Sequence, residues 1–277
     1  MLVDEGDSYQ RIGIAGGGVI AAGIAACASA VDDVILLARD EDAAMRAEER
    51  AVRACTHYDD GNPERIYHTT DLMDMTSCDL VIEAIVEELE VKGELLAELA
   101  EACPAADLAT TTSSLSITEL GDRADAAERF CAFHVFNPVT QMKLVELCFT
   151  DQTTRAVRSR ISSWSRRIGK KPIEVPDSSG FVVNRLLFPY LFDAVRFMEN
   201  SSMRAADVDQ AMTLGAGFPM GPLALLDFVG LDVAISIGES LHEEFGYDTH
   251  CPPPRLRELV DQGKLGRKSG SGFYDYG

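Results

Sequence analysis

Basic residues are few in this sequence of 277 residues, where 25 Lys and Arg face 45 Asp and Glu and the formal net charge is −20. A field of that sign repels the backbone of nucleic acids and the surface of anionic membranes. We therefore expect neither as a partner. The same field repels a polyanionic small molecule, so any phosphate site must use local backbone amides and a few nearby cations.

Paired cysteines are also missing, because the seven cysteines are scattered and no two form a C-x-x-C motif. This spacing excludes the usual pattern of a disulfide scaffold. Cys131 and His134 have the spacing of two metal ligands, but no second pair exists, so we expect no metal site. We predict free, buried thiols. Together with the acidic start of the chain at residues 1–10, which does not resemble a secretory signal, they favour a cytoplasmic protein.

Long uninterrupted apolar runs are scarce as well. The stretch Ile12–Val31 approaches the length of a membrane span, but its glycines fit a strand, turn and helix better. A hydrophobic content of 46% with 25% charged residues is typical of a globular protein. The length of the chain predicts two domains.

Short apolar segments alternate with helical patterns through the first part of the chain. The sequence predicts strands at residues 11–15, 34–38, 79–85, 108–112, 129–135, 145–149 and 172–175, with helices at 19–30, 43–55, 87–103 and 153–168. This alternation is typical of an α/β, Rossmann-type doubly wound sheet. After a break at 176–180 the pattern predicts only helices, at 181–199, 205–214, 221–241 and 254–262. We therefore predict a nucleotide-binding domain at 1–177 and an all-helical C-terminal domain at 178–277.

A glycine-rich turn follows the first predicted strand. Gly16, Gly18 and Ala21 fill the pattern G-x-G-x-x-[GA] between that strand and the next helix. The first glycine permits a tight turn, the second lets the backbone approach a pyrophosphate, and the small third residue lets the helix pack on the sheet. The motif predicts a dinucleotide site.

The choice of dinucleotide rests on two adjacent residues. An acidic residue about 20 positions further on normally binds the ribose hydroxyls of NAD. Counting without a gap places Arg39 there, whereas one inserted residue places Asp40 there. Asp40 favours NAD, and Arg39 could instead pair with the 2′-phosphate of NADP.

His134 follows a predicted strand, at the carboxyl end of the sheet where ligands bind in doubly wound folds. Oxidation of a secondary alcohol needs a base for the hydroxyl proton, and histidine side chains ordinarily titrate near neutral pH. Glu146 comes soon after, across one turn and at the start of the next strand. A carboxylate there would orient the ring and stabilise its protonated form.

Six short motifs share their order with one known family. They are TSSLSIT at 112–118, HVFNP at 134–138, MKLVE at 142–146, GFVVNR at 180–185, MGP at 220–222 and LGRKSGSGFYDY at 265–276. With them the chain resembles the 3-hydroxyacyl-CoA dehydrogenases over nearly its whole length. The resemblance implies interconversion of L-3-hydroxyacyl-CoA and 3-ketoacyl-CoA with NAD(P), in fatty acid or short-chain acyl-CoA metabolism such as β-oxidation.

The resemblance also implies roles for individual residues. His134 matches the family's general base and Glu146 its paired carboxylate, while Ser113 and Asn184 match the residues that hydrogen-bond the reacting oxygen. Glu87 and Lys92 match positions near the nicotinamide ribose and the mouth of the cofactor or CoA site. Two alternatives stay open at this point: Ser113 and Asn184 also fit capping residues, and Glu87 and Lys92 also fit ordinary exposed helix positions.

Three departures from the family pattern keep the substrate open. Thr111 replaces a usual asparagine, Ser179 replaces a usual proline, and the segment 40–79 is shorter than the helical hairpin that holds CoA. That segment also carries acidic residues near its tip. A dehydrogenase of a free hydroxy acid, such as gulonate or carnitine, is the main alternative, and a catalytically idle, crystallin-like relative is another.

The predicted helices of the second domain are rich in apolar residues, as in the stretch from Leu186 to Met198. Their apolar surface exceeds what one small helical domain can readily bury. We therefore expect a homodimer through this domain, and the family resemblance implies the same.

Overall fold

The computed structural model describes residues 8–277, so the first seven residues of the acidic start lie outside the described part. The chain divides into two compact units, the first ending at Asp177 and the second spanning Ser178–Gly277. This division falls where the glycine- and serine-rich break interrupts the pattern of strands.

Within residues 8–177, the first unit contains one sheet of eight strands. In chain order these are β1 (Arg11–Ala15), β2 (Asp33–Leu37), β3 (Ile66–Thr69), β4 (Leu80–Glu83), β5 (Asp107–Thr110), β6 (Phe130–Val135), β7 (Leu144–Phe149) and β8 (Lys171–Val175). Their order across the sheet is β3-β2-β1-β4-β5-β6-β7-β8. All neighbours are parallel except β6 and β7, which are antiparallel. The predicted doubly wound fold is confirmed.

Five helices connect these strands: α1 (Val19–Ala28), α2 (Glu41–Cys55), α3 (Leu89–Ala102), α4 (Ile117–Arg123) and α5 (Arg155–Arg167). The central strands are mostly apolar and are buried along their whole length, because neighbouring layers cover both faces of a parallel sheet. β4 and β6, for example, are buried at every position.

Two elements of this unit escape the sequence pattern. β3 is an edge strand of four residues, paired only with β2, and two of its residues are exposed. An edge strand that short has too few buried positions to give a periodic signal. Helix α4 begins at the cap Ser116, whose side chain accepts a hydrogen bond from the amide of Glu119. The sequence S-x-x-E there is a recognisable capping signal that the pattern analysis missed.

The second unit is helical, as predicted, with α6 (Val183–Ser201), α7 (Ala205–Ala216), α8 (Pro222–Val229), α9 (Leu231–Phe245) and α10 (Pro254–Asp261). The single helix predicted over residues 221–241 is wrong, because Gly230 separates α8 from α9. Gly230 has a φ of +105°, which no helical residue adopts.

Two buried aspartates on these helices accept hydrogen bonds from the C-terminal tail. Asp227 accepts hydrogen bonds from the amides of Phe273 and Tyr274, both at 2.9 Å. Asp209 accepts from the hydroxyl of Tyr274 at 2.6 Å and from the amide of Leu223 at 2.8 Å. The motif at the end of the chain therefore has a structural use, because it supplies the donors that these carboxylates need when buried.

The prediction of free, buried thiols is confirmed for six of the seven cysteines, and the seventh, Cys251, is half-buried. Burial raises the pKa of Cys78 and of Cys148 to about 12. These thiols stay protonated near neutral pH and are poor nucleophiles.

No helix within residues 8–277 is both long and apolar enough to cross a lipid bilayer.

Candidate active site

The candidate residues of the first unit gather at one edge of the sheet. Parallel strands end at the same edge, and Gly16, Asp40, Glu87 and Ser113 follow the ends of β1, β2, β4 and β5 respectively. His134 is the second-last residue of the neighbouring strand β6. The carboxyl edge of a doubly wound sheet is where such folds bind ligands.

His134 and Glu146 are direct cross-strand partners on the antiparallel strands β6 and β7. Directly opposed residues project from the same face of a sheet, so their side chains meet. The Nδ1 atom of His134 lies 2.7 Å from Oε2 of Glu146, with side chains only 7% and 1% exposed. The sequence prediction that the carboxylate returns beside the imidazole is confirmed.

This contact determines the tautomer of His134. An ionised carboxylate can only accept a hydrogen bond, so Nδ1 carries the proton and the lone pair of the neutral ring is on Nε2. The ring of Phe136 packs edge-on against the imidazole, with centroids 4.7 Å apart. The imidazole is thus fixed on one side by charge and on another by packing.

A buried lysine holds the turn that joins β6 to β7. The Nζ atom of Lys170, which is 4% exposed, donates to the carbonyl oxygen of Val139 and, at 2.8 Å, to that of Met142. These two hydrogen bonds fix the turn between His134 and Glu146. Lys170 was not among the residues predicted from the sequence, because it stands beside another lysine in what reads as a solvated turn.

Ser113 lies in the segment 112–114, which donates several hydrogen bonds to one carboxylate oxygen of Glu87. Oε1 of Glu87 accepts from the amides of Ser113 and Ser114 at 2.7 and 3.1 Å. It also accepts from the hydroxyls of Thr112, Ser114 and Ser113 at 2.7, 3.0 and 3.3 Å. The backbone that carries the Ser113 hydroxyl is thereby fixed.

Glu87 is ionised, as this role requires. Burial opposes its charge, but the ammonium of Lys92 and the hydrogen bonds from Thr112, Ser113 and Ser114 outweigh burial and lower its pKa. Lys92 itself has a side chain only 1% exposed and pairs with Glu83 at 2.8 Å. Its interpretation as an exposed helix residue is therefore wrong.

The glycine turn has the shape that a dinucleotide needs. Gly16 has a φ of +138°, and a Cβ atom there would lie 2.2 Å from the carbonyl oxygen of Ala84, so only glycine fits. A Cβ atom on Gly18 would meet nothing within 4 Å, which leaves its backbone open to an approaching phosphate. Ala21 is fully buried, where a larger side chain would push α1 away from the sheet.

Arg39 and Asp40 both stand just beyond β2. Asp40 caps α2 by accepting from the amide of Ala43 at 2.7 Å and pairs with Nε of Arg39 at 3.0 Å. The Ala43 amide and, after it, Arg39 lower the pKa of Asp40. The side chain of Arg39 is 85% exposed and that of Asp40 is 49% exposed, so both can reach a ligand.

Asn184 belongs to the second unit, where it is the second residue of α6 and is 8% exposed. Gly180 and Phe181 precede it with φ values of +73° and +46°. A bulky residue such as Phe181 rarely adopts a positive φ, so this backbone turn is strained. Glu244 fastens the segment by accepting from the amide of Ser179 at 2.9 Å.

Comparison with known proteins gives one consistent answer. The family model described as "3-hydroxyacyl-CoA dehydrogenase, NAD binding domain" matches residues 11–178, and the one described as "3-hydroxyacyl-CoA dehydrogenase, C-terminal domain" matches 180–276.

Individual relatives agree over the full chain. A 3-hydroxybutyryl-CoA dehydrogenase of Mycobacterium tuberculosis is 38% identical, with 98% of this chain and 99% of that protein covered. The human mitochondrial hydroxyacyl-coenzyme A dehydrogenase is 38% identical, with 96% and 91% covered. The crystal structure of (S)-3-hydroxybutyryl-CoA dehydrogenase from Ralstonia eutropha is similar at a TM-score of 0.90 and 34% identity, with 98% and 100% covered.

Proposed function

We propose that this chain interconverts L-3-hydroxyacyl-CoA and 3-ketoacyl-CoA, as in β-oxidation, with His134 carrying the proton. The chain belongs to the 3-hydroxyacyl-CoA dehydrogenase family and is therefore an NAD-dependent oxidoreductase of acyl-CoA metabolism. The observation that carries this proposal is the buried contact of 2.7 Å between His134 and Glu146 at the ligand-binding edge of the sheet.

In the direction of oxidation, Nε2 of His134 takes the proton of the C3 hydroxyl. The lone pair of the neutral ring is on Nε2, because Nδ1 keeps its own proton for Glu146. The imidazolium formed in this step lies against the Glu146 carboxylate, which is 1% exposed and so is little screened by water. In the direction of reduction, the same nitrogen returns the proton to the oxygen.

Ser113 and Asn184 are proposed to donate hydrogen bonds to the C3 oxygen. Neutral donors suit an oxygen that alternates between hydroxyl and carbonyl, because they stabilise developing charge without adding any. The fixed segment 112–114 supports this role for Ser113, because with its backbone held in place only the hydroxyl proton has to turn from Oε1 of Glu87 to the C3 oxygen.

The residues of the cofactor site fit NAD. Gly16, Gly18 and Ala21 would receive the pyrophosphate at the start of α1, and the carboxylate of Asp40 would bind the ribose hydroxyls. NAD, when bound, supplies the acceptor for the hydride that leaves C3. We assign Glu87 to the nicotinamide end of this site, with Lys92 behind it. Arg39 keeps NADP as an alternative cofactor, because its exposed guanidinium could pair with a 2′-phosphate.

The thioester nature of the substrate is tested by comparing acetoacetyl-CoA with free acetoacetate. At neutral pH, we expect acetoacetyl-CoA to consume NADH, followed as loss of absorbance, while acetoacetate at the same concentration does not. Repeating the assay with NADPH measures the cofactor preference, and Asp40 predicts the faster rate with NADH.

One feature favours the alternative of a free hydroxy acid. Asp59, Asp60 and Glu64 are exposed in the segment after α2 and repel the phosphates of CoA. Turnover of gulonate or carnitine without turnover of acetoacetyl-CoA would reject the proposal. Activity on any of these substrates would reject the idle, crystallin-like alternative.

We also propose a homodimer formed through the second unit. Its helices α6 and α7 expose large apolar side chains and line a groove of about 820 Å³; the most exposed are Leu186, Phe197 and Leu214, at 70, 56 and 78%. Apolar surface of this extent marks an interface, and a two-fold dimer is the commonest solution.

The buried free thiols fit the reducing environment of a cytoplasm.

The homodimer predicts a change of mass on substitution. Light scattering should give twice the chain mass for the protein and a single chain mass for the double variant Phe197→Asp, Leu214→Asp, because buried carboxylates oppose association. Met73→Asp is the control, since Met73 is an equally exposed apolar residue, at 63%, in the first unit. A monomeric parent protein, or a double variant that remains dimeric, would contradict this interface.

A further inference from the structure

One ammonium group is enclosed between two carboxylates at the active edge of the sheet. Nζ of Lys92 lies 2.8 and 3.0 Å from the two carboxylate oxygens of Glu83 and 3.4 Å from Oε2 of Glu87. The side chains of Lys92 and Glu83 are 1% and 0% exposed. Glu83 was not among the residues predicted from the sequence, although an acidic residue inside an otherwise apolar strand was a signal for it.

Every polar atom of this cluster has a partner. Glu83 also accepts from the amide of Ile85 at 2.7 Å and from the hydroxyl of Thr110 at 2.6 Å. An ammonium has three protons to donate, and three carboxylate oxygens surround that of Lys92. Its donors are therefore directed into the protein, toward Glu83 and Glu87.

Stability alone is a weak reason for such a pair. The cost of removing two charges from water offsets most of their attraction, and apolar residues of the same volume often do as well. The pair differs from an ordinary buried ion pair in its contact with Glu87. That contact fixes the carboxylate whose other oxygen holds the segment 112–114.

We propose that Glu83 and Lys92 are positioning residues for the reaction: Glu83 anchors Lys92, Lys92 fixes Glu87, and Glu87 holds the backbone that places the Ser113 hydroxyl. This inference rests on the role proposed above for Ser113. It assigns Lys92 an effect on the site through Glu87. It also gives Glu83, whose side chain is 0% exposed, a place in the same chain of contacts.

The test removes both charges at once in the double variant Glu83→Gln, Lys92→Met. Lys92→Met alone would leave Glu83 buried without its counter-ion, and an uncompensated buried charge opposes folding. In the double variant, glutamine keeps hydrogen-bonding atoms for Thr110 and Ile85, and methionine fills the volume of the lysine chain. Glu87 then lacks its cation while the core stays packed.

Amide hydrogen exchange of the segment 112–115 is measured on the protein without substrate or cofactor. We expect exchange there to accelerate about tenfold, because the Glu87 carboxylate that accepts from the amides of Ser113 and Ser114 is no longer held in place by an ammonium. With acetoacetyl-CoA and NADH, kcat should fall about tenfold while KM for acetoacetyl-CoA changes less than twofold.

The matched control is Asp107→Asn, Arg160→Met. It removes an ion pair at 2.8 Å between a buried aspartate and an arginine whose side chain is 26% exposed, at the start of β5 and so at the opposite edge of the sheet. Exchange at 112–115 and kcat should keep their normal values in this variant, even if its melting temperature falls.

Two outcomes overturn the proposal. If exchange at 112–115 is unchanged in the double variant, the pair does not hold this segment. If exchange accelerates but kcat does not fall, the pair holds the segment without serving the reaction. Exchange needs no ligand, so it reports on the pair even where the parent protein fails to reduce acetoacetyl-CoA, which is the failure of the proposed function instead.

Discussion

Replacement of His134 with glutamine is expected to lower kcat with acetoacetyl-CoA by a factor of about 10² to 10⁴, the usual contribution of a general acid or base. Glutamine can donate a hydrogen bond to Glu146 from nearly the same place, but its amide cannot take up a proton from substrate and release it again. The Kd of NADH, measured by its fluorescence, should stay unchanged, because no residue of the glycine turn is altered.

The matched control for this variant is His57→Gln, which changes an exposed histidine after α2 and should leave kcat unaltered. A His134→Gln protein with normal kcat would remove the imidazole from the mechanism. A loss of NADH binding in parallel with kcat would instead indicate a damaged fold.

Replacement of Glu146 with glutamine is expected to lower kcat by about 10² or more, with a much smaller effect on KM. Two physical reasons act together. The amide has no negative charge to stabilise the imidazolium of His134. Its NH₂ group can also donate to Nδ1, which would put the proton on Nε2 and block the nitrogen that accepts from substrate.

Glu174→Gln is the control for Glu146, because Glu174 stands on β8, the strand beside β7, and its side chain is 62% exposed in a surface pair with Arg158. Exposed ion pairs contribute little, so this change should leave kcat and the melting temperature nearly as they were. If Glu146→Gln raised KM and spared kcat, the carboxylate would serve substrate binding and not proton transfer.

Local patterns were sufficient to predict most of the first unit. Short apolar segments, a glycine turn and helical spacing are properties of neighbouring residues, so β1 and α1 were found within a few residues of their bounds. The pairing of His134 with Glu146 was also predictable, because a single turn joins their two strands. Their direct opposition, however, depends on the register between β6 and β7, which the sequence does not state.

Contacts among distant segments could not be predicted in this way. Lys92 reads as a surface residue of an amphipathic helix, and only the fold brings it to Glu83 at the end of β4 and to Glu87. The same limit applies to Lys170, which reaches back to carbonyl groups about thirty residues earlier in the chain. In both cases the partner is set by tertiary packing, for which no local periodicity exists.

The central claim is that the Glu146 carboxylate acts through the His134 imidazole, and a double-mutant cycle in kcat tests it most directly. The account predicts that the variant carrying both His134→Gln and Glu146→Gln is no slower than His134→Gln alone, because the carboxylate has no imidazole left to orient. Losses that multiply in the double variant would contradict it, since each residue would then act on the reaction independently.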